Sequence, residues 1–174
     1  MSFVKRINSI YSTMDDVKNL LAYCENSKNY FRHQCFGTNP LNMDYIISSM
    51  MRVKRIYHKE EGNQVHHLVL GFQVNKKMAE NRKLFYAEDV LYTLGNYLND
   101  KGFQSVGYIH KKENRYVFGY TTDVFENVHI HLIINSVNGY TGLKLTNVQT
   151  FLKDILSELR REYPNLNWDR VIYK

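Results

Sequence analysis

The stretch Asn127-Val128-His129-Ile130-His131-Leu132-Ile133-Ile134-Asn135 constrains this chain more than any other. It is apolar and rich in β-branched residues, which predicts a buried strand. Side chains on a strand alternate faces, so His129 and His131 share one side, roughly 6.5–7 Å apart along the chain. Ile130 and Leu132 point the other way, into a core. Two imidazoles buried on a core strand cost free energy unless something satisfies them. A divalent cation does so, and a rigid strand fixes ligand geometry. The alternative is a pair of structural histidines bonded to backbone or water.

Length and charge set the frame for that strand. The 174 residues predict one domain, residues 1–174, with a core large enough to fold unaided. The 23 Lys and Arg exceed the 17 Asp and Glu, giving a net charge of +6. That excess is compatible with a phosphate-backbone partner. The 14 Tyr and 9 Phe include candidates for stacking on unpaired bases. Cys24 and Cys35 make no disulfide framework. No signal peptide or membrane-spanning run is present, so a reducing cytoplasm is the expected location. Zinc-ribbon, phosphate-loop and dinucleotide-binding patterns are absent.

Periodicity predicts helices over 12–24, 41–55, 81–101 and 146–163. Strands are expected at 65–74, 103–109 and 115–121, besides the histidine strand. The last two before that strand are expected to pair as a hairpin through Lys111-Lys112-Glu113-Asn114. Residues 31–40 read as loop, and 168–173 as a short edge strand. His66 and His67 face opposite ways, so one of them shares any site that their strand lines. The fold class is α+β: a central antiparallel sheet, the His-x-His strand near its middle, covered by helices.

Three stretches together resemble a known family. His129-Ile130-His131, continuing through Leu-Ile-Ile-Asn-Ser-Val-Asn to Thr141-Gly142-Leu143-Lys144-Leu145, is similar to the histidine motif of plasmid mobilisation relaxases. These belong to the single-strand endonucleases with a His-hydrophobe-His motif, and the nearest branch is the P-type mobilisation nuclease domain. Leu20-Leu21-Ala22-Tyr23-Cys24-Glu25-Asn26 resembles that branch's tyrosine motif. His67-Leu68-Val69-Leu70-Gly71-Phe72 resembles its middle motif, with Gly71 in place of a serine. The resemblance runs from about Val17 to Leu159. Two departures stand out. The family has a further histidine upstream of the pair, in a Thr-His-Thr-Asp-like segment, where this chain has Thr121-Thr122-Asp123. Family members also continue into a helicase, primase or partner-binding region, whereas this sequence ends at Lys174.

The resemblance implies a single-strand DNA endonuclease that nicks a transfer origin through a tyrosine–5′-phosphate intermediate. It makes Tyr23 the candidate nucleophile, with Tyr30 in reserve. His129 and His131 become metal ligands, with Glu126, Asp123 or His67 as candidates for the third. A carboxylate there suits Mg²⁺ or Mn²⁺. The tyrosine needs activation because its free pKa is about 10, and a metal would neutralise phosphate charge. Arg52, Lys54, Arg55 and Lys144 are the candidate DNA contacts. The expected partners are single-stranded or hairpin DNA at the origin and accessory relaxosome proteins, with no membrane. Two other readings stand beside this one. In rolling-circle replication initiators and single-strand transposases the tyrosine follows the histidines, which points to Tyr163 or Tyr173. A non-catalytic descendant would bind DNA only.

Overall fold

The computed structural model describes residues 2–71, 80–111, 113–117, 120–125 and 128–173. In chain order the elements are β1 (Ser2–Arg6), α1 (Met14–Glu25), β2 (Tyr30–Phe36), α2 (Met43–Ile56), β3 (Val65–Gly71) and α3 (Glu80–Asp100). There follow β4 (Ser105–His110), β5 (Glu113–Val117), β6 (Tyr120–Phe125), β7 (His129–Asn135), α4 (Val148–Glu162) and β8 (Trp168–Tyr173). The fold is α+β. Six strands form one sheet in the order β2-β4-β7-β3-β1-β8, and β5 pairs with β6 in a separate two-stranded sheet. The histidine strand β7 lies between β4 and β3, inside the sheet.

Two sequence expectations are corrected, and the expected edge strand at the C-terminal end is found with an unforeseen neighbour. Residues 31–40 are not simply loop, because Tyr30–Phe36 forms the edge strand β2, antiparallel to β4. Its side chains are mostly half-buried, and Arg32 is exposed, so it lacks the fully apolar signature of an interior strand. The stretch after Phe103 does not pair with the next strand; β4 pairs with β2 and β7, and β5 pairs with β6. The tail adds an edge strand, but parallel to β1, a strand absent from the sequence reading.

Both sheet faces are covered. Helices α3 and α4 pack their apolar stripes on Leu68, Leu70, Ile109, Ile130, Leu132 and Ile134. Gly107 lets α3 close on that face, since a Cβ there would lie 2.1 Å from Leu91 Cδ1. Helices α1 and α2 cover the opposite face through Val17, Leu20, Leu21, Ile46 and Met50 against Val65, Val106, Tyr108 and Ile133. A capping box starts α1: the Asp16 amide donates to Thr13 Oγ1 at 3.1 Å and the Thr13 amide donates to Asp16 Oδ2 at 2.9 Å. Such a cap stabilises a helix by about 1 kcal/mol. It fixes where α1 begins and so where Tyr23 falls near its end.

One candidate DNA contact lies inside this second core. Lys54 is 0% exposed, and its ammonium donates to Asn135 Oδ1 at the end of β7. Lys54 therefore does not meet phosphates; it ties α2 to the sheet. Burial, with nearby Lys144 adding repulsion, pushes its pKa from 10.5 down to about 7. The folded lysine thus sheds its proton before the unfolded one does. Between about pH 7 and 10.5 the unfolded chain holds a proton that the folded chain lacks, so this group makes stability rise with pH across that window. Lys54→Met is expected to flatten the rise. Urea midpoints of both proteins at pH 6.5 and 9.5 check it, and an equal pH dependence in the two would refute the assignment.

Candidate metal centre

Register brings four histidines to the α1 face. His110 on β4 lies directly opposite His129 on β7, and Tyr108 lies opposite His131. On the other side of β7, Val69 of β3 faces His131, and His67 is one step further along the same face. His67 is thus the member of the His66-His67 pair that shares the site. Ring centroids are 4.6 Å apart for His110–His131, 5.1 Å for His129–His131 and 5.4 Å for His110–His129. One nitrogen from each of these three lies within 4.8 Å of the others, close enough for one ion to gather them. Cys24, His67 and His131 form a second group of the same compactness.

The three imidazoles of the first group suit a metal. His110, His129 and His131 are 1%, 0% and 4% exposed. Burial first, then repulsion from His67, His129 and His110, holds the His131 pKa well below its ordinary value. Burial, with His110 nearby, likewise pushes His67 down to about 4. Both rings are therefore neutral near pH 7, the state in which imidazole binds metal. The Nε2 atom of His131 is buried and has no hydrogen-bond partner among the described residues. A buried acceptor of that kind is costly alone and satisfied by a cation.

The tyrosine comes to this centre on α1. His110 Nε2 donates to the Cys24 carbonyl at 2.7 Å. That carbonyl lies in the last turn of α1, where backbone acceptors have no partner within the helix. Because a carbonyl only accepts, the bond puts the proton on Nε2 and leaves the lone pair of His110 on Nδ1. It also fastens the end of α1 to the sheet, with the Cys24 side chain buried beside it. Tyr23, 58% exposed, presents its ring to His131 edge-on, with centroids 6.2 Å apart and planes at 86°.

The remaining sequence candidates fall elsewhere or into other roles. Tyr30 is on β2 opposite His110, and its hydroxyl is 2.8 Å from His33 Nδ1. Tyr163 caps the end of α4; its hydroxyl donates to Asp89 Oδ2 and accepts from Thr93 Oγ1 of α3, each at 2.8 Å. It packs with the α3–α4 core, on the sheet face away from the histidines. Tyr173 is on the edge strand β8. Glu126 lies outside the described residues. Asp123 belongs to β6, in the two-stranded sheet. Arg52 and Arg55 are exposed at the end of α2, and Arg55 pairs with Glu60 at 3.5 Å. Lys144 is half-buried and donates to the Glu61 carbonyl. Sequence reasoning missed His110, although it closes the apolar run Ser105-Val106-Gly107-Tyr108-Ile109 as a histidine at a strand end. Among the described residues, no helix is long and apolar enough to cross a membrane.

A mostly antiparallel sheet between helices, with three histidines meeting on one face and a tyrosine beside them, defines an α+β domain with a candidate histidine metal site. The chain belongs to the relaxase family, as a MobA/VirD2-like nuclease domain, with residues 23–164 matched. It is similar to Protein rlx of Staphylococcus aureus, 28% identical over 129 residues, which is 73% of this chain and 34% of that protein. The chain thus spans about a third of that relative's length. No solved structure matches it.

Proposed function

We propose that this chain is a metal-dependent relaxase that nicks one DNA strand at a transfer origin, with Tyr23 as nucleophile and His110, His129 and His131 holding the cation. The observation that carries the proposal is the edge of Tyr23 against His131, the one histidine shared by both candidate ligand groups. The Tyr23 oxygen attacks the scissile phosphorus as the phosphorus–O3′ bond breaks. The phenolic proton is lost, the departing 3′ oxygen takes one up, and the 5′ phosphate stays on the tyrosine. The phosphotyrosyl ester keeps the bond energy, so religation needs no nucleotide. A cation held by the three imidazoles would stabilise the charge that builds on the phosphate oxygens. An all-imidazole set favours Mn²⁺ over Mg²⁺, which prefers oxygen ligands. Arg52 and Arg55 are the exposed candidates for backbone contacts, and single-stranded or hairpin origin DNA and accessory relaxosome proteins are the proposed partners.

His110 also bears on the two competing readings. The binding-only reading rested on a missing third histidine, and His110 offers one. The initiator reading needs Tyr163 or Tyr173, and the Tyr163 hydroxyl is engaged by α3. Incubating the protein with single-stranded origin DNA, with Mn²⁺ or with a chelator, tests the proposal on a denaturing gel. Cleavage is expected with Mn²⁺ only. Binding without cleavage under every divalent cation would leave the protein a DNA-binding module.

A further inference from the structure

His67 stands next to the candidate ligands and is bonded on both sides. Its Nε2 lies 2.9 Å from His131 Nδ1, and its Nδ1 lies 3.1 Å from the Tyr11 hydroxyl. The His67 and His131 rings sit 5.1 Å apart and tilted by 33°. Two nitrogens aimed at one another along a hydrogen bond do not converge on a third atom. That orientation argues against chelation by Cys24, His67 and His131 together.

The hydrogen-bond polarity follows from the atom left over. His131 Nε2 is buried and without a hydrogen bond among the described residues. If that atom keeps its lone pair for a cation, the ring proton sits on Nδ1, and Nδ1 donates to His67 Nε2. His67 Nε2 then accepts, so its own proton sits on Nδ1 and goes to the Tyr11 oxygen. Both ring N–H donors of the His67–His131 pair find an acceptor in this arrangement. Reversing it would put a proton on His131 Nε2, a buried donor with nothing to receive it.

We propose that His67, backed by Tyr11, is a positioning residue that fixes the tautomer and ring orientation of His131 so that Nε2 faces the cation. The inference rests on the metal-site reading above. A ligand histidine held by a bond to its other nitrogen is both oriented and made more basic, and loss of such a partner costs about 10–100-fold in metal affinity.

Heteronuclear NMR of the labelled imidazole nitrogens in metal-free wild-type protein reads the tautomer without any metal or activity. The Nδ1–H form of His131 is expected, and an Nε2–H form overturns the proposal. His67→Phe keeps ring bulk but removes the acceptor; it should shift His131 toward Nε2–H and weaken Mn²⁺ binding by about 10–100-fold. The amide oxygen of His67→Gln can accept the same bond and should recover most of both effects. Tyr11→Phe should give a smaller loss of affinity. If His67→Gln loses Mn²⁺ as fully as His67→Phe while His131 keeps its tautomer, His67 is itself a ligand and the positioning role is wrong. Wild-type protein that binds no Mn²⁺ would sink the metal reading, while the tautomer spectrum still decides the relay.

Discussion

Replacing Tyr23 by phenylalanine is expected to abolish the covalent protein–DNA adduct while DNA binding continues. The substitution removes one oxygen from a side chain that is 58% exposed. The ring, its edge contact with His131 and the capping box of α1 all remain, so stability should change by no more than about 0.5 kcal/mol. Removing a nucleophile leaves only what positioning and electrostatics supply, and no covalent intermediate forms without it. Affinity rests mainly on backbone contacts and should survive. Denaturing gels of cleaved origin DNA, with the attached peptide named by mass spectrometry, check this. An adduct that persists in Tyr23→Phe but disappears in Tyr30→Phe would transfer the role to β2. Loss only in Tyr163→Phe or Tyr173→Phe would favour the replication-initiator reading.

The second large effect concerns the cation. His110→Ala, His129→Ala and His131→Ala should each lower Mn²⁺ affinity by more than the 10–100-fold expected for an outer partner. Calorimetric titration reads this directly. The three are not equivalent in folding. His110→Ala also removes the donor to the Cys24 carbonyl, so it should loosen the end of α1 and lower the melting temperature in the absence of metal. Unchanged Mn²⁺ binding in His110→Ala would remove that residue from the ligand set and return the third position to the acidic candidates.

What the residues alone disclosed divides along physical lines. The four long helices and the two innermost strands have strong apolar periods, and the structure places them within a few residues of expectation. The His129–His131 pair was legible because alternation on a strand is a local rule. His110 was not, because pairing across a sheet is non-local. The β5–β6 sheet separates it from His129 in sequence, and only the β4–β7 register makes them neighbours. Attention to the segment just before the pair therefore found threonines where the structure offers a histidine from another strand. Lys54 shows the opposite case. Ile46, Met50 and Lys54 recur every four residues, so the helical period already put the lysine on the buried side. Its charge, set in a run of basic residues, suggested a surface. A long side chain reaching a buried amide reconciles the two.

The disposition of the histidines on β7 also bears on how the sheet chooses its alignment. Every residue of β3 and β7 is buried, so inside and outside differ little in hydrophobicity along them. Apolar content alone discriminates poorly between one alignment and the next. A slip of one residue turns every side chain to the opposite face. For β7 it would drive His129 and His131 into the leucine- and isoleucine-lined core under α3 and α4, and lift Ile130 and Leu132 toward α1. Polar atoms stranded there would find neither backbone nor ring partners. The residues assigned to chemistry thus also act as an error check on strand assembly, penalising the misaligned chain before any ion or DNA arrives.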